Sequence, residues 1–63
     1  MISVTRLNGK QFVMNAELIR MIESTPDTVI TLLSGDRIVV REPMDEVVRR
    51  AIDYARTVRA FQP

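Results

Sequence analysis

Thr25 to Val48 reads TPDTVITLLSGDRIVVREPMDEVV, two strands and the start of a helix with almost nothing between them. Pro26-Asp27 makes a turn, because proline presets φ for the second turn position and aspartate is at home beside it. Thr28 to Leu33 is a near-continuous apolar, β-branched run and therefore a strand. Ser34-Gly35-Asp36 turns the chain, with glycine free to take positive φ, and Arg37 to Arg41 returns as the next strand. Pro43 suits the first position of a helix, where its missing N–H costs nothing. Asp45 and Glu46 follow in the first turn and arginines gather toward the end, matching the helix dipole. At about 100° per residue, Met44, Val47, Val48, Ala51, Tyr54, Ala55, Val58 and Phe61 cover one broad side. Asp45–Arg49 and Glu46–Arg50 are spaced for i,i+4 ion pairs in the favourable order.

Working back toward the N-terminus, Met1 to Leu7 (MISVTRL) alternates, with Ile2 and Val4 on one side and Ser3 and Thr5 on the other. Asn8-Gly9 predicts a two-residue type I′ hairpin turn, and Lys10 to Met14 pairs back with Phe12 and Met14 on one face. Residues 15–24 have two readings. Asn15 could cap a short helix carrying Leu18, Ile19 and Ile22; alternatively Asn15-Ala16-Glu17 turns and Leu18 to Glu23 is a strand. The spacing favours the strand, since about eight residues before Pro26 are few for an independent helix. The expected fold is α+β: residues 1–63 as a single small domain, a curved five-stranded antiparallel meander that can curl toward a barrel, with one C-terminal helix.

Composition narrows the chemistry. The 63 residues include no cysteine and no histidine. Disulfides, thiolate or imidazole metal sites, and Ser–His or Cys–His dyads are therefore excluded. The eight acids form no convergent pair in the sequence, and Glu42, Asp45 and Glu46 cluster where a helix start favours negative charge anyway. We expect no catalytic residues, metal, cofactor or small-molecule substrate. Nine basic against eight acidic residues give +1, which is no electrostatic footprint for nucleic acid. No apolar run approaches the ~20 residues needed to span a bilayer. No signal-peptide pattern is present, and the expected compartment is the cytoplasm. A core in a chain this short rarely supplies more than about 3–5 kcal/mol, which favours self-association into a homo-oligomer or docking on a larger partner.

The apolar residues also exceed what one helix can cover. Ile30 and Leu32 oppose Val29 and Leu33 across one strand, and Ile38 and Val40 oppose Val39 across the next. Either the sheet curls to shelter its inner face, or another copy or partner covers the second face. Ile52 lies about 80° from Met44, beside the main helical stripe, and Phe61 sits at the opposite edge; both read equally as core edge. Candidate protein-contact residues are therefore Val29, Leu33, Val39, Ile52 and Phe61, with Arg49, Arg56 and Arg59 on the outward side of the helix. Those arginines read first as a solvated face balanced by Asp45, Glu46 and Asp53, since no aromatic residues alternate with them to stack bases. Met14, Met21 and Met44 read as core filler before docking surface.

Three stretches carry a family resemblance: TRLNGKQFVMNAELI (5–19), IESTPDTVITLLSGDRIVVRE (22–42) and MDEVVRRAIDY (44–54). They resemble the FlbD family of small bacterial flagellar proteins, also called SwrD or swarming-motility proteins. The matching positions are Thr5 to Gly9, then Glu23, Thr25 to Leu32 and Gly35, then Val40, Glu42, Glu46 and Val47. Pro43-Met44 departs from the serine and valine usual at the helix start, and the arginine-rich tail after Tyr54 is less typical. The resemblance implies a cytoplasmic accessory of flagellar motility, associated with swarming and with the power delivered by the motor's ion-driven stator units. Its partner is then a flagellar motor or stator component near the cytoplasmic face of the membrane. It implies no catalytic residues. The alternative is a small regulator binding nucleic acid through its arginines.

Overall fold

The computed structural model describes residues 1–60. Five short strands precede the helix: β1 (Ile2–Thr5), β2 (Gln11–Met14), β3 (Ile19–Ser24), β4 (Thr28–Leu32) and β5 (Arg37–Val40), then α1 (Met44–Ala60). Consecutive strands within each sheet are antiparallel, and the α+β class holds. The strands form two sheets, however, β1-β2 and β3-β4-β5, rather than one curved meander, and they do not close into a barrel.

Two joints explain the split. Between β2 and β3, the Asn15 side chain accepts the Glu17 N–H at 3.0 Å and the Asn15 carbonyl accepts the Leu18 N–H at 3.1 Å. This closes Ala16–Leu18 into a 3-10 turn, so the capping and strand readings of residues 15–24 each hold in part. Between β5 and β1 a single bridge forms, Arg6 with Val40, beside an Arg41 N–H to Thr5 carbonyl bond of 2.8 Å. Beyond it, side chains take over the ladder. The Thr5 N–H donates to Glu42 Oε1 at 2.8 Å, and the Arg50 guanidinium donates to the Ser3 carbonyl at 2.6 Å.

The two Gly-containing hairpins use the same five-residue turn. In Arg6–Lys10 the Gly9 N–H reaches the Arg6 carbonyl and the Arg6 N–H reaches the Lys10 carbonyl, both at 2.9 Å. In Leu32–Asp36 the Gly35 N–H reaches Leu32 and the Leu32 N–H reaches Asp36, at 2.9 and 2.8 Å. Gly9 (φ 91°) and Gly35 (φ 93°) alone carry positive φ among the described residues. The type I′ expectation for Asn8-Gly9 therefore gives way to a three-residue loop with glycine in the left-handed position. Asn8 keeps negative φ and uses its side-chain oxygen to accept the Lys10 N–H at 3.0 Å, as Ser34 does for Asp36.

The core lies between the sheets and the helix: Ile2, Val4, Met14, Ile30, Val40 and Val47 are buried together. Ile2 faces Met14 and Val4 faces Phe12 across the first hairpin. Ile22, Ile30 and Ile38 align across the second sheet. The Arg6 guanidinium lies 4.5 Å above the centre of the Phe12 ring, extending that cover. Helix α1 begins one residue later than expected. The Pro43 carbonyl accepts the Glu46 and Val47 N–H groups at 3.0 and 3.1 Å, so Pro43 precedes the helix instead of opening it.

Candidate interaction surface

A network of polar side chains fixes how the helix meets the sheets. Glu42, on the link from β5 to α1, accepts from the Thr5 N–H and the Thr5 hydroxyl at 2.8 Å each, and from Arg50 at 3.3 Å. The Thr28 hydroxyl donates to the Glu42 carbonyl at 2.6 Å. Burial pushes the Glu42 carboxyl up, but its two bonds from Thr5 and the nearby Arg50 charge outweigh that and leave it below its ordinary 4.5. Glu46 is held lower, at about 2, by hydrogen bonds from Arg49 and then Arg50. The expected Glu46–Arg50 pair forms at 2.9 Å. Arg49 takes Glu46 and Asp53 (2.9 Å) as partners in place of the expected Asp45, and these bonds raise its own pKa.

The candidate contact residues separate onto different surfaces. Val29 and Val39 are cross-strand partners on the face of the second sheet turned away from the helix. Val29 is only 9% exposed, so it presents little surface, while Val39 is 38% exposed. The Glu23–Arg37 ion pair, 3.9 Å, reaches from edge strand to edge strand across that face. Leu33, 62% exposed, stands on the β4–β5 turn, where its N–H bonds the Leu18 carbonyl at 2.8 Å. Leu18 is exposed as well, so an exposed leucine stands at each end of that backbone bond. Ile52, 45% exposed, lies on α1. Arg49 is committed to ion pairs, whereas Arg56 and Arg59 are exposed and make none among the described residues. Phe61 lies outside the described residues.

Met44 and Val48, which the sequence reads first as core, are exposed beside the contact candidate Ile52. Met44, Val48 and Ile52 recur every fourth residue along α1, with 38–45% of each exposed. They form one flank of the helix, while Val47 at its centre is fully buried. The expected broad stripe is wider than two small sheets can cover. The signal for this flank was the spacing of four itself, masked by treating Met44 and Val48 as core. Of the methionines, Met14 is core, whereas Met21 and Met44 are exposed.

The opposite flank of α1 is polar. A groove of about 400 Å³ runs between it and β1, lined by Met1, Ile2, Ser3, Arg50, Asp53, Tyr54 and Thr57. Its guanidinium is already engaged by Ser3, Glu42 and Glu46. Among the described residues, no three acids group to hold a metal ion, and every buried side-chain polar atom has a partner. No helix among them is long and apolar enough to cross a membrane.

A family model described as flagellar and swarming motility proteins, FlbD, matches residues 1–59. The chain belongs to the FlbD family. No curated protein and no solved structure matches it. FlbD membership places the chain in flagellar or swarming motility, and the fold gives its motif a physical meaning. Thr5, Thr28, Glu42 and Glu46 meet in the polar network described above. Gly9 and Gly35 close the two matching turns. The Leu7 carbonyl accepts two bonds from Arg41, at 3.0 and 2.7 Å, which tie the first turn to the end of β5. Several of the matching positions that carry the resemblance thus occupy joints of the fold, and the exposed Met44, Val48 and Ile52 are not among them.

Proposed function

We propose that this chain is a non-enzymatic accessory of flagellar motility that acts by protein–protein contact, docking on a motor or stator component near the cytoplasmic face of the membrane and sustaining motor power during swarming. Family membership supports the process. The observation that carries contact as the mode of action is the set of exposed aliphatic residues, Leu18, Leu33, Val48 and Ile52, on a molecule whose own core is small. A chain that left those groups in water for no purpose would carry an aggregation liability without compensation. Glu46 and Asp53 of the helix are meanwhile bound into structural pairs, which leaves them poorly suited to proton transfer.

Gene deletion in a motile host tests the proposal, with torque read from tethered cells and filaments counted by microscopy. The expected result is reduced swarming and torque with normal filament number, restored by the wild-type gene. Loss of filaments instead would move the role to assembly or gene control. Undiminished torque with defective swarming would remove the motor from the account.

A further inference from the structure

The geometry points to a second copy of this chain as the occupant of the exposed α1 flank, in an antiparallel helix pair about a two-fold axis near residue 50. This inference shares Val48 and Ile52 with the motility proposal, whose partner contact then falls to Leu18 and Leu33.

The flank is self-complementary in two respects. Its apolar part is Met44, Val48 and Ile52, all exposed. Along its outer border lie Asp45 near the start of the helix and Arg56 eleven residues later. Both are exposed, and neither makes an ion pair among the described residues, although Glu46, Arg49, Arg50 and Asp53 nearby are all paired. At about 100° per residue, Asp45 and Arg56 fall within about 20° of each other around the helix. In an antiparallel pair, one border of each helix runs beside the same border of its partner. Asp45 then meets Arg56 of the other copy, and the reverse contact forms at the other end.

Val48 and Ile52 centre on residue 50 and Asp45 and Arg56 centre between residues 50 and 51, while Met44, one turn before Val48, falls opposite Arg56 as well. One axis therefore sets valine against isoleucine and aspartate against arginine at once. A parallel pair would carry the two matching borders to opposite sides of the seam, where neither Asp45 nor Arg56 finds the other copy's opposite charge. Antiparallel alignment also puts each positive helix end near a negative one. The other flank of α1 cannot serve, since Glu46 and Arg50 there are tied to β1 and to each other.

Light scattering coupled to size exclusion, from micromolar to millimolar protein, tests the pairing. The expected result is a mass that doubles from the 7.2 kDa monomer as concentration rises. Ile52→Arg weakens the association by about tenfold or more, with far-UV circular dichroism unchanged because the site is on the surface. Asp45→Arg and Arg56→Asp each lose self-association, and an equimolar mixture of the two recovers it as a heterodimer. A monomer at every concentration overturns the inference. So does a dimer that survives Ile52→Arg, or a mixture that fails to associate, since pairing would then lie on another surface or in another orientation.

Discussion

Glu42 joins three elements at the polar seam, its side chain reaching β1 through Thr5 and α1 through Arg50 while its backbone carbonyl holds Thr28 of β4. Its side chain is only 13% exposed, so these bonds compete little with water. We predict that Glu42→Ala costs about 2–3 kcal/mol, because the Thr5 N–H loses a charged acceptor and Arg50 loses a partner. Thr5→Val, which keeps the backbone bond and drops the hydroxyl, costs about 1 kcal/mol. Urea unfolding compares the two; equal losses would show that the hydroxyl, not the strand N–H, carries the effect. Acid should expose the same seam. Glu42 and Glu46 both titrate lower in the folded chain than their ordinary 4.5, Glu46 at about 2. The unfolded chain therefore binds more protons in that window. Their contribution is complete above about pH 4.5 and is lost as pH falls toward 2. Thermal midpoints from pH 7 to 2 should drop most steeply across that interval, and Glu46→Gln should flatten the drop.

The turns show how an element's chemistry can be read correctly and its geometry missed. Both glycines belong where the sequence places them, but Asn8-Gly9 is only part of its loop. The extra residue is Leu7, whose carbonyl is held by Arg41, a contact between residues 34 apart that local pattern cannot reveal. Gly35 isolates the backbone cost, because a methyl group there meets nothing within 4 Å. Gly35→Ala should destabilise by about 1–2 kcal/mol through positive φ alone, and Gly35→Asn by less. A calorimetric series over the two variants checks this, and an unchanged alanine variant would mean the turn relaxes to another form. Strand positions and the helix were legible because each has its own hydrophobic period. The number of sheets was not, because it depends on where Asn15, Glu42 and Arg50 find hydrogen-bond partners.

At the scale of the whole molecule, the core is a thin layer with Ile30 at its centre, flanked by Ile22 and Ile38 and fully buried. Ile30→Ala should cost about 2–5 kcal/mol, comparable with the about 3–5 kcal/mol a core of this size supplies. We expect that variant to be largely unfolded by circular dichroism at 37 °C; a cooperative transition above 50 °C would mean the fold draws its stability from elsewhere. The surplus of apolar surface was visible in the sequence, but not its division. Alternation along β4 could not tell that Val29 is covered by its neighbours on the outer face, and the candidate residues end up on both sides of the molecule rather than in one patch. The seam between the sheets has a consequence for solution behaviour. Glu42 and Arg50 occupy backbone groups of β1 that would otherwise sit bare, in the position where growing fibrils recruit new chains. Charged side chains thus act as a guard rail along that strand. Stripping them with Glu42→Ala and Arg50→Ala together should hasten thioflavin-positive deposition well beyond the rate of an equally destabilised core variant.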